Sequence, residues 1–213
     1  MSGALPTDEV EGGAGDETAE VLALPHPDWL YHHLRVAGDA DQVTAFRMAA
    51  AGAGVIPWTH DLGSAAEGWF HHLVAPAPPQ RRSLSAEGAR ILAEQLHDAA
   101  ELRLRQVATQ APHSRACLLD LHRLLPVPAE LLRLGPDHPR ARAWLWAHWG
   151  TTEAVRGVVE LPMLRHGQPR RRDDGLFWVG FWSADWSPWP ALAALRTQWP
   201  ALRFELQPRY DDG

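Results

Sequence analysis

The sequence predicts an α+β fold, and three observations lead to it. Short segments near 30–36, 155–164, 176–182 and 202–210 alternate or are rich in aromatic and β-branched residues, as strands are. A long stretch from residue 85 to about 110 keeps its apolar residues on one helical face. Capping and breaking residues separate the segments, among them Gly38–Asp39, Gly150 and Ser187–Pro188.

The elements follow in order. Residues 30–36 form a strand, and Asp39 caps the next helix, with Gln42 placed for a capping box. Val43, Phe46 and Ala50 fall on one face of that helix, which Gly52 and Gly54 stop. Residues 53–83 carry Trp58, Trp69 and Phe70 as anchors, and 75–80 (APAPPQ) reads as loop or polyproline. Ser85 caps the long helix. Its stripe is Ala89, Leu92, Leu96, Ala99, Ala100, Leu104 and Val107. Residues 117–128 (CLLDLHRLLPVP) read as a strand running into a proline-ended turn. A short helix over 137–149 ends at Gly150. Two strands, 155–164 and 176–182, flank a polar turn at 166–175. Ser187 caps and Pro188 opens a helix to about Trp199, and 202–210 is the last strand.

With the extra strand and a largely helical insertion at 53–113 set aside, the order is β–α–β–β–α–β, the split βαβ pattern of a ferredoxin-like sheet with helices on one face. Residues 1–25 read as a disordered acidic tail, and 26–213 as one domain.

Charge supports that division. The net charge is −6, but residues 1–28 carry seven acids and no arginine, while 29–213 carry 19 acids and 20 arginines. The folded part is near neutral, which does not favour strong non-specific phosphate binding. Lysine and asparagine are absent, as the coding bias of a GC-rich genome produces. No apolar run approaches the roughly 18 residues of a membrane span. The start, MSGALPTDEVEGGAGDETAEV, lacks a signal-peptide pattern. A cytoplasmic protein without membrane association is expected. The single cysteine, Cys117, excludes an internal disulfide and reads as an inert core thiol.

Four segments resemble the YubB-type ferredoxin-like domain family of uncharacterised proteins met on bacterial plasmids and phages. They are LYHHLRVAGDADQVTAFRMAA, LDLHRLLPVPAEL, WLWAHWGTTEA and FWSADWSPWPALAALRTQWPALRFELQPRYDDG, and together they cover about 29–52 and 116–213. The chain departs from the family at Thr152 and Glu153, at Ala184 and Asp185, and at Trp189. The insertion has no counterpart in it. The resemblance implies a ferredoxin-like sheet and a mobile-element setting, and it implies no activity.

Tryptophan is the strongest compositional signal: eight of eleven lie between 144 and 199. They read as core, with a Trp-lined binding surface as the alternative. On the 176–182 strand, Phe177, Val179 and Phe181 point one way, and Trp178 and Trp182 the other. The second face is either covered by the 85–110 helix or offered to a ligand. In the latter case, bases would stack on its aromatics, with Arg170, Arg171 and Arg172 just upstream. The charge run also reads as an ordinary solvated hairpin. Trp149, Thr151, Asp185 and Trp186, in the WGT and WSP motifs, read as helix punctuation or as the edge of a cleft. Asp185 and Glu153 pair as acids only if their segments meet. Adjacent histidines such as His32–His33 point to opposite faces, no metal-ligand spacing or catalytic motif appears, and no cofactor is implied. The expected function is that of a non-enzymatic accessory protein that binds a protein partner. The alternative is single-stranded nucleic-acid binding through the aromatic sheet face. An enzyme would need a deep pocket joining Asp185, Glu153 and a histidine.

Overall fold

The structure, a computed structural model, describes residues 27–74, 84–162, 164–165, 168–169 and 175–209. The tail, the 75–80 segment and Arg170, Arg171 and Arg172 lie outside the described residues.

The described chain is α+β. Strands β1 (Trp29–Ala37), β2 (Arg156–Glu160), β5 (Leu176–Ala184) and β6 (Arg203–Arg209) form an antiparallel sheet in the order β2-β5-β1-β6. The short strands β3 (Leu164–Arg165) and β4 (Gln168–Pro169) pair separately. β1 and β2 run in the same sense with β5 between them. β5 and β6 do likewise with β1 between them. The central positions of the sheet therefore belong to β1 and β5.

One face of the sheet is the core. His32, Leu34 and Val36 of β1, Phe177, Val179 and Phe181 of β5, and Phe204 and Leu206 of β6 are all buried on it. Helix α1 (Ala40–Ala50) packs Val43, Phe46 and Ala50 there, and α7 (Trp189–Gln198) packs Ala191, Leu192 and Leu195. The Phe46 ring meets Phe177, Trp199 and Phe204 edge-on at centroid distances of 5.3–5.9 Å. Asp39 caps α1 by accepting the Asp41 N–H at 3.0 Å.

The insertion is helical. α2 (Leu62–Val74) and α3 (Ala86–Gln110) pack against each other and have no comparable packing with any strand. Ser85 caps α3 by accepting the Gly88 N–H.

Two expectations are corrected. Residues 117–128 are not a strand. Cys117 makes one isolated bridge with Gly52, and Asp120 then caps the short helix α4 (Leu121–Leu124) and accepts the Gly54 N–H. α5 (Ala129–Leu134) follows Pro128, so a turn-forming acid and two prolines outweigh the apolar run. Ser187 does not cap α7. Its cap position is Pro188, which makes no side-chain cap bond. The Ser187 hydroxyl instead donates to His32 Nε2 at 2.8 Å, because His32 Nδ1 is committed to the Leu30 carbonyl at 2.9 Å. Cys117 is half-buried, its thiol donates to the Leu119 carbonyl, and burial pushes its pKa up, so it does not supply a thiolate.

Candidate functional site

The second sheet face is open among the described residues. Strand alternation puts Tyr31, His33 and Arg35 of β1, Trp178, Gly180 and Trp182 of β5, and Arg203, Glu205, Gln207 and Arg209 of β6 on this face. Trp182, Arg203, Gln207 and Arg209 are exposed, and Tyr31, His33, Arg35, Trp178 and Glu205 are half-buried. On the core face, His32, Leu34, Val36, Phe177, Val179, Phe181, Phe204 and Leu206 are buried, so the contrast between the faces is sharp.

The aromatic side chains form a continuous platform on the two central strands. Tyr31 lies 4.9 Å from Trp182, centroid to centroid. His33 meets Tyr31 edge-on at 5.4 Å and Trp178 edge-on at 5.8 Å. Trp178 and Trp182 are four residues apart, about 13 Å along the strand at about 3.3 Å per residue. Gly180 lies between them. A Cβ there would collide with the Tyr31 hydroxyl and come within 2.8 Å of its Cζ, so this glycine lets the ring lie down across the strand.

Arginine rims the platform. Arg35, Arg203 and Arg209 share the face with one acid, Glu205, which bridges Arg35 and Arg203 at 3.2 Å each. Arg209 Nε donates to His33 Nδ1 at 3.2 Å. Desolvation, then the Arg209 charge, holds the His33 pKa below its ordinary value, which suits the neutral ring this bond requires. On the flanking strand, the Arg156 guanidinium stacks over the Trp29 ring at 4.2 Å.

A cleft of about 440 Å³ opens where the WGT and WSP segments meet. Thr151 is fully buried. Its hydroxyl donates to the Ala184 carbonyl at 2.8 Å and accepts the Ala184 N–H at 3.0 Å. Gly150 has φ +75°, and a Cβ on it would lie 2.5 Å from Pro190 Cδ, so glycine is needed both for the turn and for the close approach. Asp185 sits at φ +63° and is held from three sides. Its N–H donates to the Asp28 carbonyl, its Oδ1 accepts the Asp28 N–H at 3.1 Å, and its Oδ2 accepts the Thr152 hydroxyl. Glu153 also lines the cleft and is ion-paired with Arg156. Asp185 and Glu153 therefore do meet one cleft, with His60 also on its wall, but both carboxylates are already bonded to neighbours. No three His, Cys, Asp or Glu side chains gather as a metal site among the described residues.

The expected site residues thus separate. Trp178 and Trp182 lie on the open face, Asp185 on the cleft, and Trp186 is exposed beyond β5. Trp149 and Thr151 are corrected: both are fully buried, and the Trp149 indole N–H donates to the Leu125 carbonyl at 3.0 Å, so neither can touch a ligand. Tyr31, Arg35 and Arg209 are additional face residues. Strand alternation was the available signal for the first two, whereas Arg209 joins them only through the β1–β6 register.

No family model and no curated protein matches the chain. Among solved structures, it is similar to the crystal structure of the protein api92 from Yersinia pseudotuberculosis, of the family DUF1281. Identity is 11%, covering 88% of this chain and 92% of that one, with a TM-score of 0.44.

Proposed function

We propose that the protein binds single-stranded nucleic acid on its open sheet face, as a binding protein without catalysis of its own. One observation carries this reading: exposed Trp182 and half-buried Tyr31, His33 and Trp178 cluster on the two central strands, and three arginines share their face with one acid among the described residues. Unstacked bases need π-faces, and a single-stranded backbone needs cations beside them. The near-neutral charge of the folded part makes this concentration local. The interleaved β–α–β crossovers support a ferredoxin-like framework under the face, and the meeting of the WGT and WSP segments supports the YubB-type relation.

The test is a mobility shift of the full chain at low salt, with single-stranded RNA and DNA. A shift at micromolar protein is expected, with Trp178→Ala weakening it by about 1–3 kcal/mol, as for one lost base-stacking contact. No shift, or a shift indifferent to Trp178→Ala, counts against the reading.

Protein-partner binding is the second reading, and a different surface favours it. Trp186 and Trp189, at the entrance to α7, are 57% and 42% exposed. A partner recovered from the native host and lost with Trp186→Ala would support it.

A further inference from the structure

We infer that the cleft beside the sheet is a pocket for one nucleobase, giving sequence preference to a face that otherwise stacks any base. The inference rests on the nucleic-acid reading and adds a second site to it. Trp29 continues the alternation of the open face beyond Tyr31, and the Arg156 guanidinium that covers it also lines the cleft. A strand lying along β1 and β5 is thereby led to the cleft mouth. Arg156 is held there by Glu153 on one side and by the Trp29 ring beneath, which leaves a backed, planar guanidinium on which a base stacks. Trp58 stands on the cleft wall as a second aromatic surface.

Charge decides which part of a nucleotide fits. Arg142 and Arg156 line the cleft, but so do Asp137, Glu153 and Asp185. A phosphate entering it would meet three carboxylates. A neutral, planar base edge meets acceptors and donors together. Asp137 and Arg142 offer both, because their 3.2 Å ion pair is exposed and such pairs are weak in water, so each is free to exchange its partner for a base edge. A volume of about 440 Å³ falls within the ordinary range for small-ligand pockets, about 300–1,000 Å³. The wall is stiff, since Asp185 is fixed by Asp28 and Thr152. Base edges in single strands are read by such hydrogen bonds, here charge-assisted ones to Asp137 and Arg142.

The test uses the full chain and a short oligouridine in which A, C or G is walked along the strand, read by fluorescence anisotropy. One base at one position is expected to change affinity by about tenfold or more, the value of one good hydrogen-bonded edge. Asp137→Asn with Arg142→Gln brings that ratio toward one, and Trp178→Ala lowers every affinity while keeping the ratio. Equal affinity for all sequences, with Trp178→Ala still weakening each, overturns the base pocket and leaves the stacking face standing. A ratio unchanged by the Asp137 and Arg142 substitutions also overturns it. Binding of none of the oligomers overturns both.

Discussion

Gly180 shapes the platform by what it lacks. The Tyr31 ring occupies the space where its side chain would be. Gly180→Ala forces Tyr31 off the strand, so weaker oligonucleotide binding is expected with the secondary structure intact, measured by anisotropy beside circular dichroism. Thr151 has the opposite character: buried, silent toward ligands and structurally demanding. Thr151→Ala removes both bonds to Ala184 and leaves its buried N–H unpaired, while the carbonyl keeps the Trp186 N–H, a loss of about 1–3 kcal/mol in urea unfolding. Thr151 was expected among the binding residues because its motif was visible in the sequence, while the depth at which it sits depends on β5, some thirty residues further on.

Elements whose signals are local were legible. α1 and α3 carry their stripes and caps within one stretch of chain, and Asp39 and Ser85 cap them as their sequences indicate. Ser187 looked like the same kind of cap, but its hydroxyl is claimed by His32, a residue on another element. Nothing in the sequence near Ser187 announces that partner. The 117–128 segment failed for a related reason: its apolar run resembles a strand, yet Asp120 bonds to Gly54 and to the first turn of α4. The His32–Ser187 contact also makes the junction of β1 and α7 sensitive to pH. Burial holds the His32 pKa below its ordinary value; His122 is lowered too, by burial against the opposing pull of Asp120. The unfolded chain thus takes up these protons first. Stability is complete above about pH 6.5 and falls as pH drops below it, by at most about 1.4 kcal/mol per pH unit for each histidine. Denaturant midpoints between pH 7.5 and 5 should fall, and less steeply in His32→Gln.

At the scale of the molecule, α2 and α3 pack on each other and leave the second sheet face free. The helices of the insertion were legible, but their placement was not, because a periodicity marks the apolar face of a helix and not what packs against it. Charge behaves similarly: the chain is acidic and the described domain nearly neutral, yet strand pairing gathers Arg35, Arg203 and Arg209 beside four aromatic rings. A salt titration should show binding weakening as ionic strength rises, with a slope near −0.7 for each phosphate neutralised on a single strand. The most direct measurement of the central claim is the set of indole N–H resonances followed by nuclear magnetic resonance as a single-stranded oligonucleotide is added to the full chain. Trp178 and Trp182 are expected to shift, with Trp29 following, while buried Trp149 stays in place. Shifts confined to Trp186 and Trp189, or no shift at all, would contradict it.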